Sequence, residues 1–221
     1  MKKNILIVGT NANNMNGHPT GLWADEIIEP WEIFNANNFK TTISSLLGGN
    51  IPIDQISINN DYLEKYDKEL KIITNSKKIT DLDLDEFDAI YFAGGHGALV
   101  DFANSKLVSD LINKFLDDNK YVAAVCHGLS ALCNVKRNDK WVVENKKITG
   151  FTNTEEIKAK LEKIVPFSLE DVLVEQKANF IKTDDFSAHT IEDGLILTGQ
   201  NPQSSKKLAN LIVNKIDSKI D

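Results

Sequence analysis

The stretch from Tyr121 to Ser130 reads YVAAVCHGLS, and it decides the fold. An apolar run ends abruptly at Cys126, and small and polar residues then begin a helical stretch. This is the sequence form of a strand–nucleophile–helix elbow, with cysteine where α/β-hydrolases carry serine. Ala124 and Gly128 lie two residues from the thiol on either side, and a sharp, strained turn leaves no space for larger side chains. The pattern predicts a nucleophilic cysteine on a tight turn.

The position of Cys126 predicts a lowered thiol pKa, because a helix N-terminus presents the positive end of the helix dipole. His127 follows directly and offers a second means of stabilising negative charge. The alternative is a buried structural cysteine in a central strand, a common place for an isolated free cysteine. Cys133 is predicted to face the core, about two helical turns away and too far for a disulfide. Reduced thiols indicate a cytoplasmic protein.

Composition limits the classes of partner. The chain has 221 residues, of which 42% are hydrophobic and 26% charged, as in a soluble globular protein with a full core. We expect a single domain over residues 1–221. A net charge of −7 argues against nucleic acid or an anionic membrane as a partner. The apolar run 5–8 is too short for a signal peptide, and no stretch approaches the ~20 residues of a membrane span.

Strand and helix patterns alternate along the chain. Strands are predicted over 4–9, 41–47, 88–93, 121–125, 180–182 and 195–198, a hairpin over 141–148, and helices over 21–38, 104–116, 127–134, 154–164, 169–177 and 203–216. Pro30 is expected to kink or break the first helix. Such alternation predicts an α/β fold whose mainly parallel central sheet has helices on both faces. Ligands of such sheets bind beyond the carboxyl ends of the strands.

Gly94-Gly95-His96-Gly97 follows a predicted buried strand. Glycines allow backbone N–H groups to approach a developing negative oxygen, as in an oxyanion hole, and the N–H of His127 would be the second donor. A phosphate cradle is a rival interpretation, although neither dinucleotide nor Walker spacing is present. A tight turn with no chemical role is the other. Because this turn and Cys126 both end strands, we expect them to share one crevice.

Sequence spacing does not identify the residue that would transfer protons during catalysis. Glu26 lies in the helix after the first strand, but spacing does not separate it from Asp25 or Glu29. Glu155 and Glu156 begin another helix, where carboxylates favour the dipole without any chemistry. Four histidines without paired spacing, and no cysteine cluster, predict no metal site. No cofactor is expected.

A series of short motifs occurs in order along nearly the whole chain: TGLW at 20–23 with Glu26 and Pro30, PID at 52–54, FAGGHG at 92–97, AVCHG at 124–128, TGFTN at 149–153, PF at 166–167 and TGQNP at 198–202. With this set the chain resembles the ThiJ/PfpI superfamily. The resemblance implies the flavodoxin-like, class I glutamine-amidotransferase-like fold. Within the superfamily the chain is most similar to the chaperone and glutathione-independent glyoxalase III branch.

The resemblance also implies roles for individual residues. Cys126 matches the nucleophile and His127 its neighbouring partner. Glu26 matches the carboxylate that contacts the cysteine sulfur. Glu156 is the best match for the acid of a Cys-His-Glu triad, with Glu155 one residue away as the open alternative.

The resemblance also implies that the backbone N–H groups of Gly95 and His127 form the oxyanion site. With Gly94 and His96 of the same turn, these residues are predicted to form the oxyanion and substrate-binding group. The chain departs from glutamine amidotransferases proper, which use a His-x-Glu pair. Its nearest candidate, His189 with Glu192, has an extra residue between the two.

The implied activity is conversion of methylglyoxal, or another small 2-oxoaldehyde, to a 2-hydroxy acid such as lactate. The small carbonyl substrate would be held through a cysteine hemithioacetal and thioester. Two alternatives remain open: a stress-related holdase chaperone for unfolded client proteins, and a cysteine amidase or peptidase. The resemblance also implies a homodimer.

Overall fold

The computed structural model describes residues 3–218. Its strands are β1 (Asn4–Gly9), β2 (Asn14–Met15), β3 (His18–Pro19), β4 (Lys40–Ser45), β5 (Lys77–Lys78), β6 (Ala89–Phe92), β7 (Tyr121–Val125), β8 (Lys136–Arg137), β9 (Lys140–Trp141), β10 (Lys147–Ile148), β11 (Asn179–Phe180), β12 (Thr190–Asp193) and β13 (Ile196–Gly199). Its α-helices are α1 (Asp25–Ala36), α2 (Asn60–Lys65), α3 (Asp67–Ile73), α4 (Ala98–Asp101), α5 (Lys106–Asp117), α6 (Asn153–Ala159), α7 (Leu169–Glu175) and α8 (Ser205–Asp217).

A seven-stranded sheet forms the centre, in the order β12-β13-β7-β6-β1-β4-β5. All neighbouring pairs in it are parallel except β12 with β13 at one edge. The side chains of β6 and β7 are buried throughout, as expected of parallel strands that are covered on both faces. Helices α1 and α8 pack together, and α5 packs against β7. The predicted fold class, a mainly parallel sheet in a flavodoxin-like arrangement, is confirmed.

The strand register brings the two key turns together. β6 and β7 are parallel neighbours, with Phe92 opposite Ala124. The chain therefore leaves both strands at the same edge, into Gly94-Gly95-His96-Gly97 from β6 and into Cys126 from β7. The expected shared crevice lies at this edge.

Several local predictions are wrong. The helix after the elbow is a 3₁₀ helix, Cys126–Leu132. Helix α1 spans Asp25–Ala36, and Pro30 does not break it. Pro30 is buried, and its packing in the core offsets the hydrogen bond that a proline removes from a helix interior; a kink at Pro30 stays a prediction. The hairpin pairs β8 with β9, not residues across 141–148. Its turn has positive φ at Asn138 and Asp139, the combination that a two-residue type I′ turn requires.

Two further features of the structure concern the cysteines and the hydrophobicity of the helices. Cys126 and Cys133 are both free and buried. Among residues 3–218, no helix combines the length and the hydrophobicity that crossing a bilayer requires.

Candidate active site

Cys126 lies on a strained elbow directly after β7. Its φ is 55°, a left-handed value that costs a non-glycine residue energy and is found at functional sites. A Cβ at Gly128 would lie 2.4 Å from the carbonyl oxygen of Phe92. Only glycine therefore lets the chain turn this closely against β6. The strained turn predicted from the small flanking residues is present.

Glu26 lies in the first turn of α1, and its side chain contacts the thiol of Cys126 at the elbow. Its side chain is fully buried, and its Oε2 accepts a hydrogen bond of 2.6 Å from the N–H of Gly94. A Cβ at Gly94 would lie 2.7 Å from the same oxygen. Burial raises the pKa of Glu26 to about 8, although the Gly94 N–H and the Cys126 thiol both lower it. At neutral pH this carboxyl group is mainly protonated.

The prediction of a lowered thiol pKa is wrong. Burial raises the pKa of Cys126 well above its ordinary value, and the negative charge of an ionised Glu26 raises it further. The backbone N–H of His127 acts in the opposite direction but is outweighed. The resting nucleophile is therefore a thiol, which needs a base to remove its proton.

His127 supplies a basic nitrogen next to that thiol. Its Nδ1 lies 3.4 Å from Cys126 Sγ, and its Nε2 lies 2.8 Å from Glu156 Oε2. An Nε2–H donated to the carboxylate leaves the Nδ1 lone pair directed at the thiol. Burial and the neighbouring His96 lower the pKa of His127 to about 4, so the ring is neutral and able to accept a proton.

Glu156 is shared between two histidines. Its second oxygen, Oε1, lies 2.7 Å from His96 Nε2, and the two imidazole centroids are 4.0 Å apart. Burial would raise the pKa of Glu156, but hydrogen bonds from His127 and His96 lower it to about 2. Glu156 is therefore ionised across the physiological range.

Glu155 and Glu156 have different partners in the structure, although sequence spacing could not distinguish them as the acid that binds His127. Glu155 is fully buried but does not contact His127. Its Oε1 accepts hydrogen bonds from Phe186 N, Gln200 Nε2 and Asn201 Nδ2, and its Oε2 accepts from Thr152 at the start of α6. Glu155 thus ties three segments together, and Glu156 faces the elbow. Asp25 and Glu29 bind Tyr62 and Lys206 instead.

Two backbone N–H groups are placed to bind an oxyanion. The N–H of His127 adjoins the sulfur, and the N–H of Gly95 makes no hydrogen bond within residues 3–218. Gly95 has a φ of 92°, and a Cβ there would lie 2.4 Å from the backbone of Gly21 and Trp23. Gly94 was predicted to belong to the oxyanion and substrate-binding group. Its N–H instead donates a hydrogen bond to Glu26 and is not available to a substrate oxygen.

A cavity of about 290 Å³ opens above the sulfur. Cys126, His127, Gly95 and His96 line it, and the other lining residues come from segments distant in sequence: Trp23, Asp54, Ile56, Phe151, Ala159, Leu161, Phe186, Pro202 and Gln203. Phe151 packs on the His127 ring, with centroids 4.4 Å apart. Sequence reasoning did not assign these wall residues, although Trp23, Asp54, Phe151 and Pro202 fall within motifs that carry the resemblance.

His96, His127 and Glu156 also form a group with metal-ligand chemistry, because one donor atom from each lies within 4.8 Å of the others. Sequence spacing gave no sign of it. The hydrogen bonds of 2.7 and 2.8 Å already occupy both carboxylate oxygens. A metal ion would have to displace the two Nε2 protons, so the absence of a metal from the working site stays a prediction.

The chain is similar to several proteins of known name or structure. The chain is 29% identical to Glyoxalase 3 of Candida albicans over 95% of its own length and 96% of the relative's. A solved structure of glyoxalase III from Candida albicans matches with a TM-score of 0.85 at 28% identity, over 96% of each chain. The Rapid Encystment Protein 24 kDa of Francisella tularensis matches with a TM-score of 0.91 at 38% identity, covering 96% of this chain and 98% of that one. The sequence profile of the DJ-1/PfpI family matches residues 22–215, and the chain belongs to that family.

Proposed function

We propose that this protein is a glutathione-independent glyoxalase that converts methylglyoxal to lactate. The observation that carries the proposal is the buried Glu26 carboxyl beside the Cys126 thiol, with a pKa of about 8. A group with this pKa can both accept and donate a proton near neutral pH. The similarity to glyoxalases over nearly the full chain supports the same activity.

The first step forms a carbon–sulfur bond. As Cys126 Sγ attacks the aldehyde carbon, the thiol proton passes to His127 Nδ1, and the aldehyde oxygen becomes an alkoxide. The N–H groups of Gly95 and His127 hold this oxygen. The proton then moves from the imidazole to the oxygen, which gives a neutral hemithioacetal.

The second step moves hydrogen between two carbons. Ionised Glu26 removes the proton from the former aldehyde carbon, which gives an enediolate with its negative charge on the former ketone oxygen. The hydroxyl proton of the hemithioacetal passes to this oxygen, and Glu26 returns its proton to the neighbouring carbon as the first carbon regains its carbonyl group. The product is a thioester of lactate with Cys126. Because Glu26 lies against the sulfur that holds the substrate, it is close to both carbons without a change in the fold.

Hydrolysis completes the cycle. His127, held by Glu156, removes a proton from water as the water attacks the thioester carbonyl. The tetrahedral oxyanion accepts hydrogen bonds from the same two N–H groups. The carbon–sulfur bond then breaks, and the imidazole proton goes to sulfur. The sum is one water added to one methylglyoxal, with no oxidant or reductant.

The nearest rival is a cysteine amidase, which would use the same Cys126, His127 and Glu156. Amide hydrolysis needs no proton transfer between carbons, so it leaves the buried Glu26 without a task. This favours the glyoxalase. A holdase would use none of these groups for chemistry. The small carbonyl substrate, the homodimer, the unfolded clients and the cytoplasmic location stay proposals.

The experiment is lactate formation from methylglyoxal without glutathione, comparing wild type, Cys126→Ala and Cys133→Ala. Cys133 is a matched control because it is the other free, buried cysteine and does not line the cavity. We expect lactate from the wild type and the control, and none from Cys126→Ala. Folded wild-type protein that makes no lactate would reject the proposal, and release of ammonia from small amides would favour the amidase.

A further inference from the structure

We propose that the preferred substrates of this site are uncharged 2-oxoaldehydes that carry an apolar side chain larger than the methyl group of methylglyoxal, such as an aryl group. This inference rests on the proposed function and concerns the walls of the cavity rather than the reacting groups.

The cavity is larger than methylglyoxal requires. Methylglyoxal has about five non-hydrogen atoms, whereas 290 Å³ is close to the lower end of the range, roughly 300–1,000 Å³, of pockets that enclose drug-sized ligands. With its aldehyde carbon bonded to Cys126, methylglyoxal would leave most of this space to water. A larger substituent on the ketone carbon would occupy it.

The unfilled walls are apolar. Phe151, Leu161, Phe186 and Ile56 are among the residues that line the cavity. Ile56 is 75% exposed and Phe186 is 40% exposed. Covering such apolar surface stabilises a bound ligand, because it removes the surface from water. Methylglyoxal is too small to cover it.

The aromatic wall is held in place rather than loosely exposed. Phe186 has a φ of 58°, and its N–H donates a hydrogen bond of 2.8 Å to the buried Glu155. Its ring centroid is 6.3 Å from that of Phe151, within the range for paired aromatic rings. Phe186 is therefore fixed next to Phe151, which packs on the catalytic imidazole.

The electrostatics of the cavity favour neutral ligands. No lysine or arginine is among the lining residues within the described chain, and Asp54 adds a carboxyl group to the wall. Glu156 lies behind the two histidines with its pKa lowered to about 2 and is therefore negative. Lys158 Nζ lies 6.0 Å from the Phe186 ring centroid, but it is already paired with Asp185 at 2.7 Å. A substrate with a carboxylate or phosphate would therefore approach like charges without an unpaired cation among the lining residues to offset them.

The test compares three aldehydes by kcat/KM: methylglyoxal, phenylglyoxal and 4-carboxyphenylglyoxal, with lactate, mandelate and carboxymandelate as products. We expect phenylglyoxal to exceed methylglyoxal by at least about tenfold, mainly through KM, since hydrophobic pockets distinguish even one methylene by roughly tenfold or more. The carboxylated analogue should fall at least about tenfold below phenylglyoxal, although its shape is nearly the same.

Variants of the wall sharpen the test. Phe186→Ala should reduce the phenylglyoxal to methylglyoxal ratio about tenfold, Phe186→Leu should restore most of it, and Val174→Ala, an exposed change on α7, should leave the ratio unchanged. A ratio of one or less in the wild type would overturn this inference while leaving the glyoxalase standing. If neither aldehyde is converted, the proposed function fails and this inference fails with it.

Discussion

Glu26 and Glu156 are both buried carboxyl groups beside the same elbow, yet their pKa values are shifted in opposite directions, to about 8 and to about 2. Glu26 has one N–H partner and a thiol, so burial decides its pKa. Glu156 has a histidine on each oxygen, so hydrogen bonding decides. Burial alone therefore does not decide the role of a carboxyl group. Two acids separated in pKa can divide the work of one reaction.

The largest expected effect is on the Glu26 side. Glu26→Gln keeps an oxygen for the Gly94 N–H but cannot accept a proton, so the transfer between carbons should fail. General acid–base catalysis contributes about 10²–10⁴-fold, and we expect kcat for lactate formation to fall by that order. Circular dichroism should show an intact fold. Near-normal turnover would remove Glu26 from the mechanism.

Glu156→Gln should slow both steps that use His127 as a base, namely attack by the Cys126 thiol and hydrolysis of the thioester. The glutamine amide can accept a hydrogen bond from only one of the two histidines, and its NH₂ would oppose the other Nε2–H. If His127 changes tautomer to avoid this, Nδ1 loses the lone pair that faces the thiol. We expect a roughly 10²-fold loss of kcat.

Intact-protein mass spectrometry of Glu156→Gln should show no more acyl adduct on Cys126 than the wild type does, because formation and hydrolysis of the thioester both need His127 as the base. Glu162→Gln, an exposed change nearby, is the control and should behave as wild type. Full activity in Glu156→Gln would show that the histidines do not depend on this carboxylate.

A smaller effect is expected for His96, which holds the other oxygen of Glu156. His96→Asn leaves the His127–Glu156 bond in place but frees one carboxylate oxygen. We expect kcat to fall about tenfold or less while KM for methylglyoxal changes little. A selective rise in KM would instead make His96 a substrate contact.

The last prediction concerns stability rather than turnover. The pKa of Glu26 rises from 4.5 to about 8 on folding, so between these values the folded protein binds a proton that the unfolded chain does not. Its contribution is full below pH 4.5 and is lost as pH rises toward 8. Glutamine cannot ionise, so urea unfolding should show Glu26→Gln gaining on wild type by at most about 1.4 kcal/mol per pH unit. A constant difference from pH 5 to 8 would contradict the raised pKa.

Much of this arrangement could be predicted from sequence. The run that ends at Cys126, the glycine turn at 94–97 and the strand alternation indicated the crevice, because parallel strands end at one edge. The resemblance indicated Glu26 and Glu156, which spacing alone could not select. Both carboxyl groups now lie at the elbow.

Other features depend on burial and distant contacts, which a sequence does not display. The thiol pKa was predicted in the wrong direction because the effect of burial exceeds that of the hydrogen bond from the His127 N–H. The short edge strand β12 was not predicted. Glu156 is bound both by His96, which is 60 positions away in the sequence, and by His127, which is 29 positions away. The Phe186 wall likewise depends on its hydrogen bond to Glu155.

The most direct test of the central claim is the pH profile of kcat/KM for lactate formation from methylglyoxal by wild-type protein. Glu26 must be ionised to remove the carbon-bound proton, and kcat/KM reports the pKa values of the free enzyme. We predict a rise of up to about tenfold per pH unit toward an apparent pKa of about 8, with a plateau above it. A profile that is flat from pH 6 to 9, or that titrates near the ordinary carboxyl pKa of 4.5, would contradict the account.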